Sequence, residues 1–209
     1  MIYYSLTMII KNFGILINSF FVNVNKSGIR LYNEFSLQHE LGIFLRSRFP
    51  GYFVEFERNV SFFGVRETVK KEIDVVIYNA DKTEKCAIEL KYPRKGEYPE
   101  QMYAFIKDIK FMEQLKYNHG FETYVLTIVD DSLFYSRGAK GTAKAAGIYS
   151  YFRNPTNTVG GRINKPTGVP KDSKFISLMN SYSFSWIDVS WSDGENLPNG
   201  TQKYYYIVL

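Results

Sequence analysis

The chain has 209 residues, 45% of them hydrophobic and 17% aromatic, with a formal net charge of +5 and a pI near 9.1. That length and apolar content exclude a disordered tail and leave room for a buried core within one domain, residues 1–209. The lone cysteine, Cys86, excludes an intrachain disulfide and fits a reducing, cytoplasmic setting, and with only His39 and His119 beside it an ordinary structural zinc site is excluded unless carboxylates complete it.

Residues 8–24 are rich in Ile, Phe, Leu and Val, but Lys11, Asn12, Asn18, Ser19 and Asn23 interrupt the run. No stretch there reaches the roughly 20 apolar residues of a spanning helix, and no small-residue cleavage site follows clearly. The segment is expected to form short strands or a packed apolar helix, with no membrane association. Lys26-Ser27-Gly28 reads as a turn. Over 32–48, Leu37, Leu41, Phe44 and Leu45 recur at helical spacing, with Ser36 as an alternative cap, and Pro50-Gly51 stops the helix.

Three strands are expected next, over 52–62, 72–78 and 85–92. A loop over 93–99 leads to a helix over 100–118, whose stripe is Met102, Phe105, Ile109, Met112 and Leu115 and whose end is marked by Gly120. A strand follows over 123–129. After a glycine-rich stretch, about 135–175, two final strands are expected over 182–189 and 202–208. This order predicts an α/β fold: a mixed central sheet flanked by helices, with a C-terminal β elaboration over about 180–209.

The chemistry-bearing segment is 71–91. Two strands joined by Asn79-Ala80-Asp81-Lys82-Thr83-Glu84 read as a hairpin. If its loop is symmetric about Asp81-Lys82, Asp74 faces Glu89 and Glu72 faces Lys91. The carboxylates of Asp74 and Glu89 then share one face with Cβ atoms about 5 Å apart, and Lys91 lies on that face by the two-residue alternation. Two such carboxylates repel. A hard divalent cation relieves the repulsion through oxygen ligands, which points to Mg²⁺, with Mn²⁺ as a substitute. A neighbouring lysine stabilises developing charge or helps to activate a water. The bland alternative is an exposed hairpin carrying a Glu72–Lys91 cross-strand pair, worth under about 1 kcal/mol.

Ile73-Asp74, a 14-residue spacer and Glu89-Leu90-Lys91 resemble the PD-(D/E)xK motif of metal-dependent nucleases, a superfamily that includes restriction endonucleases, Holliday-junction resolvases and phage exonucleases. Ile stands before Asp74 where the motif's name has Pro. The resemblance covers about residues 32–130. It implies a restriction-endonuclease-like core, metal ligation by Asp74, Glu89 and the Leu90 carbonyl, and a catalytic Lys91 that positions the nucleophile. Many members add an acidic residue from the first helix; Glu40 is the preferred candidate, with Glu34 and Gln38 as alternatives. Lys107, Asp108 and Gln114 are candidates to face the site from the second helix. Gln114-Leu115-Lys116-Tyr117 falls one residue short of the Gln-x-x-x-Tyr of some exonuclease branches, so that branch is not assigned.

Over 137–174, eight Lys and Arg residues stand against Asp172 alone, a net of +7 that leaves −2 for the rest of the chain. Arg137, Lys140, Lys144, Arg153, Arg162 and Lys165, interleaved with glycines and with Tyr149, Tyr151 and Phe152, form the expected nucleic-acid contact region; the alternative is a long solvated excursion. The function expected is hydrolysis of DNA phosphodiester bonds by a restriction- or defence-type endonuclease, possible as a homodimer because cutting both strands calls for two active sites. The alternative is a nuclease-fold nucleic-acid-binding or regulatory module without catalysis.

Overall fold

The computed structural model describes residues 12–93, 96, 98–136, 147–168, 173–189 and 202–209. The chain is mixed α/β: a six-stranded mixed sheet flanked by three helices, with a separate two-stranded ribbon. The helices are α1 (Phe13–Lys26), α2 (Glu34–Arg48) and α3 (Tyr98–His119). The strands are β1 (Phe53–Asn59), β2 (Glu72–Tyr78), β3 (Lys85–Lys91), β4 (Glu122–Val129), β5 (Asn157–Asn164), β6 (Phe175–Phe184), β7 (Ile187–Asp188) and β8 (Lys203–Val208). The sheet order is β1-β2-β3-β4-β8-β7; β3 and β4 are parallel, every other neighbouring pair is antiparallel, and β5 and β6 form the ribbon.

Strand alternation divides the interior into two cores. Val75 and Ile77 of β2, Cys86, Ile88 and Leu90 of β3, and Tyr124, Leu126 and Ile128 of β4 pack against α1 and α2. Val76 of β2, Ala87 of β3, and Val125 and Val129 of β4 pack against α3 and the ribbon. The apolar segment near the N-terminus is the helix α1, burying Phe13, Leu16, Ile17, Phe20, Phe21 and Val24; the part of that segment before residue 12 lies outside the described residues. Its polar interruptions do not break a helix, because those at Asn18, Ser19 and Asn23 stand apart from the buried stripe. Among the described residues no helix is long and apolar enough to cross a membrane.

Helix α2 starts one residue after Asn33, whose side chain accepts from the Ser36 amide at 2.8 Å, while the Ser36 hydroxyl accepts from the Asn33 amide at 3.0 Å. Ser36 is therefore the third-residue partner of a capping box and not the cap itself. The glycine-rich stretch contains a strand that the sequence pattern hides. In β5, Gly161 has a φ of 67° and marks a bulge where the pairing with β6 shifts between Gly160 and Arg162. Gly160 lies against the Ser181 backbone, where a Cβ would come within 2.9 Å of the Ser181 Cα. The Gly-Gly pair reads as a loop signal, yet here it lets two strands approach and twist.

The hairpin holds the register expected from its loop symmetry. Val75 pairs with Ile88, Val76 with Ala87, Ile77 with Cys86 and Tyr78 with Lys85. The turn is closed by Asn79, whose backbone amide donates to the Glu84 carbonyl at 3.1 Å and whose side chain accepts from the Glu84 amide at 3.0 Å. Lys82 takes the left-handed conformation the turn needs, with a φ of 61°.

Candidate active site

The ladder between β2 and β3 stops at Val75 and Ile88, one residue short of Asp74 and Glu89. There the side chains replace backbone pairing. The Asp74 amide donates to Glu89 Oε1 at 3.3 Å, and the Leu90 amide donates to Asp74 Oδ2 at 2.7 Å. Each carboxylate is thus fixed by the opposite strand. Glu89 is fully buried and Asp74 nearly so. A buried carboxylate without compensation costs several kcal/mol, so the surrounding charges decide whether the arrangement holds.

Two lysines provide that balance, against the added charge of a third buried carboxylate. Asp108, on the face of α3 that covers the sheet, is 2% exposed. Lys70, in the segment leading into β2, places its ammonium against Glu89 Oε2, 3.0 Å from Asp108 Oδ1 and 3.9 Å from Asp74 Oδ1. Lys91 lies on the other side of Asp108, with Nζ 3.8 Å from Asp108 Oδ2, 3.2 Å from Glu34 Oε1 and 2.8 Å from the Leu90 carbonyl to which it donates. Burial disfavours the charged form of both lysines, but the carboxylates outweigh it: Asp108, Glu89 and Asp74 raise the pKa of Lys70, and Asp108, Asp74 and Glu34 raise that of Lys91. Both ammoniums therefore stay charged. Burial, with Asp74 and Asp108 beside it, pushes the Glu89 carboxyl well above the ordinary carboxylate range against the opposing pull of Lys70.

Helix α2 contributes Glu34 at its opening turn. Glu34 Oε1 faces Lys91 and Oε2 accepts from the Tyr92 amide at 3.1 Å. Glu40, the candidate preferred from sequence, is joined by no described contact to Asp74, Glu89 or Lys91. The helix repeat explains why: six residues carry Glu40 roughly 240° round the axis from Glu34. Gln38, one turn after Glu34, does reach the site. Its amide donates to the Asp74 carbonyl at 2.8 Å and to Glu57 Oε1 at 2.6 Å. Both partners are acceptors, so it is the NH₂ that faces them, and through it Gln38 braces β2.

From α3, Asp108 points into the cluster, Gln114 accepts from the Val69 amide at 2.8 Å and so holds the Lys70 segment, and Lys107 is exposed. Glu72 is exposed and pairs with Asn59 of β1 rather than with Lys91. Lys70 is not legible as a site residue in the sequence. Its one signal is an ion-pair spacing of four residues before Asp74, but Lys70 lies outside β2, where two-residue alternation says nothing about its direction.

The basic segment is only partly described, and Arg137, Lys140 and Lys144 lie outside the described residues. Arg153 is buried: it donates to the Leu133 carbonyl and its guanidinium lies 4.1 Å from the Tyr149 ring. That pairing makes it a packing residue beneath the surface, which its place in a basic run does not reveal. Arg162 is exposed on β5, 3.8 Å over the Phe175 ring, and Lys165 pairs with Glu100 at 3.5 Å.

Asp74, Glu89 and the Leu90 carbonyl form an oxygen-only donor set, the chemistry that a hard divalent cation prefers. Asp108 Oδ2, buried and without a hydrogen-bond partner among the described residues, adds an acceptor of the same kind. The residues thus fit such an ion chemically. Among the described residues, however, no three ligating side chains stand ready around one point; the carboxylates converge on Lys70 instead. A bound divalent ion would supply Lewis acidity, lowering the pKa of a water and neutralising charge on a phosphoryl group. The chain's own part is to fix the two carboxylates through strand amides and to hold the Lys91 ammonium beside Leu90.

Comparison with known proteins finds no family model, no curated protein and no solved structure that matches the chain.

Proposed function

We propose that the chain is a metal-dependent nuclease of the PD-(D/E)xK type that hydrolyses DNA phosphodiester bonds, with Mg²⁺ or Mn²⁺ held by Asp74, Glu89 and the Leu90 carbonyl and with Lys91 acting on the nucleophile. The observation that carries this reading is the end of the β2–β3 ladder, where two buried carboxylates are locked by the opposite strand's amides and Lys91 stands over the Leu90 carbonyl. An ordinary hairpin gains nothing from burying Glu89 there, since charge burial costs stability unless it serves a site. The succession of α2, three strands, α3 and β4 further supports the reading, because it follows the order on which the resemblance rests. Glu34 takes the position of the first-helix acid in this proposal. Duplex DNA is the proposed partner, with a homodimer as the form able to cut both strands.

The test is incubation of purified protein with Mg²⁺ or Mn²⁺ and duplex, branched or single-stranded DNA. Cleavage of at least one substrate, abolished by EDTA, is expected. Three intact substrates in both metals would refute the proposal.

A second reading is a nuclease-fold DNA-binding module without catalysis. It is favoured by Lys70, whose ammonium already sits against Glu89 and Asp108. It requires salt-sensitive DNA binding that is indifferent to Lys91→Ala, together with no cleavage. Lack of binding at low salt would reject it.

A further inference from the structure

We infer that Lys70 is a built-in counter-ion of the carboxylate cluster, competing with a divalent cation for Glu89 and Asp108 and so setting the cation concentration at which the site loads. This rests on the reading of Asp74 and Glu89 as metal ligands. Four carboxylates, Asp74, Glu89, Asp108 and Glu34, face two ammoniums, Lys70 and Lys91. The ammonium of Lys70 touches the oxygens that a cation would need. Lys91 rests on the Leu90 carbonyl, at the edge of that oxygen set, and faces Glu34 and the remaining oxygen of Asp108. Two positive charges do not balance four carboxylates, and among the described residues Asp108 Oδ2 is still left without a hydrogen bond.

Lys70 is also built to leave. Its backbone is pinned: the preceding Val69 amide donates to Gln114 Oε1 at 2.8 Å, the Lys70 carbonyl accepts from the Thr68 hydroxyl at 2.5 Å, and the Lys71 carbonyl accepts from the Val60 amide at 2.8 Å. Its side chain is not sealed in. It remains 20% exposed, whereas Glu89 has no exposure and Asp108 almost none. A flexible four-carbon stem on a fixed anchor can withdraw its ammonium toward solvent without disturbing the strand. A cation that binds only after displacing these contacts loses affinity equal to their strength.

The inference is tested by calorimetric titration of Mn²⁺ into the full chain and into Lys70→Met, with melting followed in EDTA and in Mn²⁺. Lys70→Met is expected to bind Mn²⁺ more tightly by about tenfold or more. It should also melt lower than the unsubstituted chain in EDTA and recover more on adding Mn²⁺. Should Lys70→Met not fold, Lys70→Met/Asp108→Asn compared with Asp108→Asn gives the same contrast with one fewer buried charge. Binding by the Lys70 variant alone would support the inference. Equal or weaker binding by the variant would overturn it while leaving Asp74 and Glu89 as ligands. Absence of binding in every protein would overturn the metal-site reading and the inference with it.

Discussion

Lys91→Ala is expected to slow metal-dependent DNA cleavage by about 10²- to 10³-fold, the usual cost of removing one group that stabilises charge in a transition state. The ammonium is held by Glu34, Asp108 and the Leu90 carbonyl, so its position is fixed by three elements: α2, α3 and β3 itself. A lysine placed by that many contacts would cost little to organise against a phosphoryl group. Its removal also leaves Asp108 with Lys70 as its remaining ionic partner, so the variant's circular dichroism and melting must be followed alongside its rate. DNA affinity at low salt should stay within a few-fold, because the loss falls on the chemical step. Cleavage by Lys91→Ala at the unsubstituted rate, in a preparation free of contaminating nuclease, would remove Lys91 from the mechanism.

Glu113→Ala is expected to destabilise the protein by about 3–5 kcal/mol, the range for removing one partner from a buried, charge-assisted network. Glu113 projects from α3, is fully buried, and receives the Met179 amide at 2.7 Å and 2.9 Å, the Asn180 amide at 3.0 Å and the Tyr182 hydroxyl at 3.0 Å. Lys110 balances its charge at 3.3 Å. One side chain thus ties β6 to the helix that carries Asp108. Its deletion leaves two β6 amides and a buried hydroxyl with no acceptor. Equilibrium denaturation in urea should show the fall as a lower midpoint, and a change under about 1 kcal/mol would mean that solvent replaces these bonds at no cost. Glu113→Gln should recover only part of the loss, since its NH₂ group would meet donors where the carboxylate meets them with acceptors.

The hairpin shows what the sequence can disclose about this site. Its register, from Tyr78–Lys85 to Val75–Ile88, follows from a polar six-residue turn and from alternation on either side, and so is legible in the sequence. That the ladder ends there, with strand amides turned onto the carboxylates, is not readable, because it depends on three-dimensional divergence of the strands. Helix α3 is legible from its stripe, and that same periodicity places Asp108 among the candidates without showing that it is buried. Glu34 and Glu40 are chemically alike in the sequence; only the rotation of α2 against β3 separates them. Strand β5 is hidden by Gly160-Gly161, whose local signal is a turn but whose use is a bulge against Ser181. Lys70 is hidden for a further reason: a side chain from an irregular segment has no period to reveal its direction.

The proposed function stands on a divalent cation at Asp74 and Glu89 beside Lys91. It is tested most directly by crystals of the full chain soaked in Mn²⁺ and measured for anomalous scattering. One anomalous peak is expected between the carboxylates of Asp74 and Glu89, at the roughly 2.0–2.6 Å oxygen distances of hard divalent ions. A well-ordered soaked crystal with no peak between those two side chains, the Lys70 ammonium still seated on Glu89, and no peak in crystals of the Lys70→Met variant either, would contradict it.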